Sequence, residues 1–220
     1  MPEYPKIPFD LSVIAEAFQL VSNNDCIHLA KWTSAKYELT DFEQQLLERT
    51  HTDIKSDGDY LNEEEIKIRL IAPLFQIANI DETPPLRVFY ERPLSAVVNH
   101  YSLSVICDCM VATTTLFRTP VRPYFFLQEF KKAKPPFIPP IWGDKGGQDP
   151  EAQMLVAMLA AQARNNDGKP IYGGFLIGSH WRLTTLVDNE YCLSRPFLAF
   201  QKEDLLQLAC SLRYLKTLHA

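Results

Sequence analysis

Residues 123–134 read PYFFLQEFKKAK, an apolar and aromatic run that ends in charged residues. The YFFL portion is typical of a strand inside a sheet. Side chains alternate across a strand, so Glu129 and Lys131 are expected on one face and Phe130 on the other. The strand therefore presents a carboxylate and an ammonium group side by side near one of its ends.

The preceding apolar run, LSVICDCMVA at residues 103–112, is also expected to be a strand with one acidic residue, Asp108. Alternation places Asp108 on one face and its neighbours Cys107 and Cys109 together on the other. If the two strands pair, Asp108 can lie beside Glu129. Two carboxylates ~4 Å apart repel by about 4 kcal/mol at an effective dielectric constant of 20. Lys131 can offset part of this repulsion and a divalent cation would offset more, and Mg²⁺ suits a site of one or two carboxylates and several waters.

The remaining segments predict an α/β fold in which helices flank a mixed sheet. Thr40 and Asn62 are expected to cap helices that precede the strands, and Asp149 is expected to cap a nearly all-apolar helix that follows them. Residues 171–200 contain further strand patterns, and residues 203–218 read as an amphipathic helix. We expect a helical extension over residues 1–58 and a main domain over residues 59–220, together forming one compact unit.

Composition limits the classes of function. The chain has 220 residues, 46% of them hydrophobic, and a formal net charge of −5. A protein that binds nucleic acid mainly by neutralising phosphates usually has a basic excess, so such a role here needs a local patch or a bound cation. The N-terminal residues do not resemble a signal peptide, and the five scattered cysteines favour reduced thiols, so a cytoplasmic location without membrane contact is expected.

Asp108 followed by Glu129-Phe130-Lys131 on the next strand resembles the Asp…(Glu/Asp)-x-Lys signature of the PD-(D/E)XK nuclease superfamily. In addition, NEEEIKIRLIAPL at residues 62–74 is similar to the first core helix of the nuclease domain in type I restriction subunits and their solitary relatives. A glutamate near the start of that helix joins the metal site, and Glu63 matches it best, with Glu64 second. Gln153 is similar to the glutamine that many members carry on the helix after the Glu-x-Lys strand.

The resemblance implies a restriction-endonuclease-like core and a Mg²⁺- or Mn²⁺-dependent nuclease, with DNA favoured over RNA as the substrate and a homodimer allowed. In this reading Glu63, Asp108, Glu129 and the backbone carbonyl of Phe130 bind the metal. Lys131 orients the attacking water or stabilises the developing negative charge. Gln153 hydrogen-bonds the water or the nucleic-acid backbone. Cys107 stands where the proline of the family name would be.

Other interpretations of the same residues stay open. A catalytically silent member of this fold would bind nucleic acid or a protein, and an unrelated α/β binding protein would use Glu129 and Lys131 as a structural ion pair. Lys132 and Lys134 form a basic cluster that is either a solvated face or a phosphate-contacting edge. Cys107 and Cys109 lack the second cysteine or histidine pair of a structural zinc site, so they are expected to be buried thiols.

Overall fold

The structure is a computed structural model that describes residues 4–23, 25–80, 86–116, 118–131 and 149–218, with the backbone alone at residues 59, 123 and 125–131. The helices of these ranges are α1 Leu11–Phe18, α2 Ile27–Thr33, α3 Asp41–Asp57, α4 Glu63–Ile66, α5 Ala72–Ala78, α6 Pro150–Asn165 and α7 Lys202–Tyr214. The strands are β1 Val21–Ser22, β2 Leu86–Val98, β3 Tyr101–Thr114, β4 Pro120–Lys131, β5 Ile171–Ile177, β6 His180–Val187, β7 Glu190–Leu193 and β8 Phe197–Leu198.

The strands form one mixed sheet in the order β1-β7-β6-β5-β4-β3-β2, with β8 added on β6. β2, β3 and β4 are consecutive antiparallel neighbours, whereas β4 and β5 are parallel. A parallel pair requires a crossover connection. Helix α6 lies in that crossover and packs against β2, β3, β4 and β5. The prediction of an α/β fold with helices around a mixed sheet is confirmed.

Local sequence signals explain where the helices begin. Thr40 and Glu43 form a capping box at the start of α3, as the sequence predicts. The helix of residues 63–78 begins with a second capping box and contains a single π-helical turn, Lys67–Ile71, between α4 and α5. Asp149 caps α6, whose first residue is Pro150. Each cap satisfies backbone N–H groups that the helix itself leaves without partners.

Two hydrophobic clusters cover the two faces of the sheet. One contains buried residues of α2, α3, α4, α5 and α7, including Trp32, and the other contains those of α1 and α6. The N-terminal segment contributes to both clusters, through Trp32 to the first and through Ile14 and Phe18 to the second. It also supplies β1, which pairs with β7 at the edge of the sheet.

Close contact between α6 and the sheet depends on glycine in β5. A Cβ atom built on Gly173 would lie 2.9 Å from the sulfur atoms of Met154 and Met158. Real Cβ atoms do not come this close to other heavy atoms, so a side chain here would force the two methionine side chains to shift. Gly173 thus leaves room for Met154 and Met158 of α6 against the sheet.

Candidate functional site

The regular alternation predicted for β3 is wrong at Asp108. Cys107 is buried in the cluster on the α6 side of the sheet, whereas Cys109 is buried in the cluster on the opposite side. The same change of side occurs in β2. Phe89 and Leu94 both lie on the α6 side, although they are five positions apart and regular alternation would place them on opposite sides. Between them Glu91 has φ of 49°, a left-handed conformation. An ideal strand would place residues an odd number apart on opposite faces.

Glu91 and Asp108 mark the position where both strands change sides. The pairs Tyr90–Cys109 and Arg92–Cys107 flank them, so the register sets Glu91 across from Asp108. Among the described non-glycine residues with positive φ, Glu91 is the one that lies inside a strand. Positive φ at a residue with a Cβ costs free energy and often accompanies a functional site. The irregularity therefore brings two carboxylates together where the sheet passes the start of α4.

A cavity of about 630 Å³ lies between α4 and these two strands. We call it the acidic cavity, and its polar lining comprises Glu63, Glu64, Lys67, Tyr90, Glu91 and Asp108. Glu65, the third glutamate of the run, instead completes the capping box, since its carboxylate accepts from the backbone N–H of Asn62 at 2.8 Å. The structure thus brings Glu63, Glu64 and Asp108 of the sequence prediction into one cavity.

Lys67 is the cation of this cavity within the described part of the chain. Its ammonium donates to Glu91 Oε1 at 2.6 Å and to Glu64 Oε1 at 3.2 Å, and its side chain is 16% exposed. Burial by itself lowers the pKa of Lys67, but its hydrogen bonds to Glu91 and Glu64 and the charge of Asp108 outweigh it and raise the pKa above its ordinary value. Lys67 is therefore fully protonated at neutral pH.

The Glu-x-Lys strand approaches the same end of the sheet. Cys109 of β3 is opposite Gln128 of β4, so Asp108 and Glu129 are the next residues along the two antiparallel strands. Glu129, Phe130 and Lys131 also pair, in parallel register, with residues 175–177 of β5. The predicted pairing of the two strands is confirmed for the backbone. Lys132 and Lys134 lie outside the described residues.

Gln153 lies on α6, the helix that follows the Glu-x-Lys strand. It is buried in the first turn of α6, whose neighbouring residues belong to the cluster on the side of the sheet opposite α4. Among the described residues that line the acidic cavity, Gln153 is absent. The role of Gln153 beside Glu129 and Lys131 stays a prediction, because the side chains of residues 125–131 lie outside the described part of the chain.

The donor set of the acidic cavity has the chemistry that a hard divalent cation prefers. Four carboxylates face one ammonium, which leaves a net charge of −3, and carboxylate oxygens are the ligands that suit Mg²⁺ and Mn²⁺. Among the described side chains, no three of these carboxylates place oxygens within 4.8 Å of one another. Mg²⁺ commonly retains several waters and takes one or two carboxylates directly, so this wider spacing is compatible with it.

The expectation that all five cysteines are reduced thiols is wrong for two of them. Cys26, just before α2, forms a disulfide with Cys192 of β7, with Cα atoms 6.3 Å apart. Cys26, Cys192 and Glu190 also form the one described group of potential metal ligands within 4.8 Å, but the disulfide occupies both sulfurs. Cys107, Cys109 and Cys210 are buried and do not take part in this disulfide. The pairing bridges 166 positions and therefore leaves no local pattern in the sequence.

Sequence reasoning missed Lys67 and Glu91. Lys67 follows Glu63 by four positions and Glu64 by three, which are the spacings at which helical side chains meet, so its contact with Glu64 leaves a readable signal. Glu91 has no such signal, because its role depends on the left-handed conformation inside β2.

In comparisons with known proteins, neither a family model nor a curated sequence matches this chain. Within the described residues, no helix is both long enough and apolar enough to cross a bilayer.

Proposed function

We propose that this protein is a metal-dependent nuclease that hydrolyses phosphodiester bonds, with DNA as the favoured substrate. The observation that carries the proposal is the convergence of carboxylates from α4, β2 and β3 on one cavity, beside the strand that bears Glu129 and Lys131. Such charges are costly to bring together unless a cation compensates them.

The arrangement of elements supports the same proposal. A helix with glutamates at its start, three antiparallel strands, a crossover helix and a parallel strand follow one another along residues 63–177. This is the order of elements that the resemblance to PD-(D/E)XK nucleases implies. We therefore propose that the sheet and α6 form a restriction-endonuclease-like core.

In this proposal Glu63, Asp108, Glu129 and the Phe130 carbonyl hold Mg²⁺ or Mn²⁺. The bound ion lowers the pKa of a coordinated water and neutralises charge on the phosphate. Lys131 extends from the same strand as Glu129 and stabilises negative charge on the phosphoryl oxygens or orients the water. Lys67 holds Glu64 and Glu91 in place and reduces the repulsion that Asp108 experiences from them.

Calorimetric titration with Mn²⁺ and Mg²⁺ tests the site directly. The wild type is expected to bind the ions, and Asp108→Ala is expected to abolish the binding because it removes the strand carboxylate at the centre of the cavity. Asp167→Ala, which removes an exposed carboxylate after α6, is the matched control and should bind like the wild type. Absence of binding by the wild type would refute the nuclease proposal.

Incubation of plasmid, single-stranded DNA and RNA with Mn²⁺ then tests the reaction. Cleavage should disappear in Asp108→Ala protein that is purified identically, which excludes a contaminating nuclease. Cleavage that survives Lys131→Ala would show that the role given to Lys131 is wrong.

A catalytically silent nucleic-acid-binding or interaction module is the second candidate. The observation that favours it is Lys67, whose ammonium already compensates two of the carboxylates without any ion. Metal binding without cleavage of any of the three substrates would support this alternative. Failure to bind either ions or nucleic acid would oppose both candidates.

A further inference from the structure

A second cavity, of about 600 Å³, adjoins the acidic cavity. We call it the aromatic cavity, and its principal lining comprises Thr40, Phe42, Phe75, Gln76, Asn79 and Tyr90. Phe42 at the start of α3 is 70% exposed and Tyr90 is 42% exposed, so both rings are accessible to a ligand. Phe75 is buried in the wall behind them. The volume falls in the range of small-molecule sites, which are about 300–1,000 Å³.

The two cavities share Ala72 and Tyr90 as a common wall. Tyr90 and Glu91 are consecutive, yet both line cavities on the α5 side of the sheet. This is possible because the alternation of side chains breaks at Glu91, so that Phe89 and Leu94 both lie on the α6 side. The aromatic cavity therefore lies directly beside the carboxylates of the acidic cavity.

The aromatic cavity offers stacking surfaces and neutral polar groups. Its carboxylate, Glu43, is paired with the guanidinium of Arg213 and accepts from the backbone N–H of Thr40 at 2.8 Å. Burial would raise the pKa of Glu43, but these partners lower it, so the group stays ionised and compensated. Gln76 adds a side-chain amide to the lining, and an amide can both donate to and accept from the edge of a base.

We propose that the aromatic cavity binds one unpaired nucleobase, stacked on Tyr90 and Phe42, next to the phosphate that lies in the acidic cavity. The proposal rests on the proposed nuclease function and specifies its substrate as a strand with at least one unstacked base. Bases stack on exposed aromatic rings with little dependence on sequence. A base within a duplex is already stacked and paired, so it must be extruded before it can enter.

The test measures binding of fluorescein-labelled 12-mers by fluorescence anisotropy in CaCl₂. Three probes are used: oligothymidylate, the same length of abasic sugar-phosphate strand, and a duplex. The proteins are the wild type, Tyr90→Ala, Tyr90→Phe and Phe42→Ala. Tyr60→Ala is the matched control, because Tyr60 is 83% exposed and lies outside both cavities.

The wild type should bind oligothymidylate about tenfold more tightly than the abasic strand and the duplex. Tyr90→Ala and Phe42→Ala should each lose most of that preference, while their affinity for the abasic strand stays the same. Tyr90→Phe and Tyr60→Ala should match the wild type. Phe42 is largely exposed, so its variant reports on binding even if Tyr90→Ala fails to fold.

Equal binding of the abasic strand and oligothymidylate by the wild type would overturn the proposal, as would tighter binding of the duplex or no binding of any probe. The nuclease proposal fails separately, through loss of metal binding or cleavage. A protein that prefers oligothymidylate through Tyr90 but neither binds metal nor cleaves would retain the base site and lose the nuclease function. A protein that binds metal and cleaves, but binds the abasic strand and oligothymidylate equally, would retain the nuclease function and lose the base site.

Discussion

Replacement of Lys67 by methionine tests the acidic cavity without assuming that the protein is an enzyme. Lys67→Met keeps most of the aliphatic length of the side chain and removes its charge, so the change in stability reports on the ammonium. The variant leaves Glu64, Glu91 and Asp108 facing one another with their neutralising partner gone.

The magnitude follows from the geometry of the two ion pairs. Opposite charges about 4 Å apart attract by about 4 kcal/mol at an effective dielectric constant of 20 and by about 1 kcal/mol in water. The Lys67 side chain is 16% exposed, but those of Glu64 and Glu91 are 76% and 56% exposed. The attraction in each pair should therefore be close to the value in water, about 1 kcal/mol. We expect the free energy of unfolding to fall by about 2 kcal/mol. The raised pKa of Lys67 means that this contribution is complete at pH 7 and is lost only as alkaline pH rises through that pKa.

Urea unfolding at pH 7, followed by circular dichroism, measures the effect first in EDTA and then in MgCl₂. A divalent cation at 100 times its Kd contributes about 2.7 kcal/mol to a protein that binds it. Lys67→Met lacks the ammonium that competes for these carboxylates, so it should bind Mg²⁺ more tightly than the wild type, and MgCl₂ should narrow the gap between them. Lys202→Met is the control, because it removes an exposed pair with Glu48 and should cost less than about 1 kcal/mol in either buffer. Equal stability of Lys67→Met and wild type in EDTA, or a gap that MgCl₂ leaves unchanged, would refute the reasoning.

Three further predictions concern other parts of the fold. Arg213 and Thr40 lower the pKa of Glu43 against the effect of burial. The ionised Glu43 therefore stabilises the folded state at pH values above the pKa it has in the unfolded chain, and this stabilisation is lost as the pH falls through its pKa in the folded protein. Glu43→Gln should therefore destabilise the protein by about 3 kcal/mol at pH 7 and by less at pH 3 in urea unfolding, and a pH-independent difference would contradict this. Burial raises the pKa of Glu151, so Glu151→Gln should stabilise the protein at pH 7, where the buried carboxylate is charged, but not at pH 3. An equal stabilisation at pH 3 would show that burial of the charge is not the cause. Titration of thiols in guanidinium, without reductant, should find three reactive thiols, whereas five would show that Cys26 and Cys192 do not form a disulfide.

The elements that depend on local chemistry could be predicted from the sequence. The capping pairs at Thr40 and Asn62 need only residues three positions apart, and the strands are apolar runs between turn residues. The approach of Asp108 to α4 was expected only from the resemblance to PD-(D/E)XK nucleases. What could not be predicted depends on distant parts of the chain: the disulfide joins residues 26 and 192, and tertiary packing decides which face of the sheet α6 covers.

The change of side at Glu91 and Asp108 explains why the candidate site is at this point of the sheet. With regular alternation, an acidic residue in the middle of a long hairpin would have either a buried charge or a fully solvated one. The left-handed conformation of Glu91 costs free energy, of order 1–2 kcal/mol for a residue with a Cβ. The hydrogen bond from Lys67 to Glu91 offsets part of that cost, and the same turn of backbone directs Tyr90 and Glu91 toward neighbouring cavities. Glycine at position 91 would relieve the backbone strain but remove the carboxylate. A more stable Glu91→Gly variant that binds divalent cations less tightly would therefore indicate that the strain serves the site.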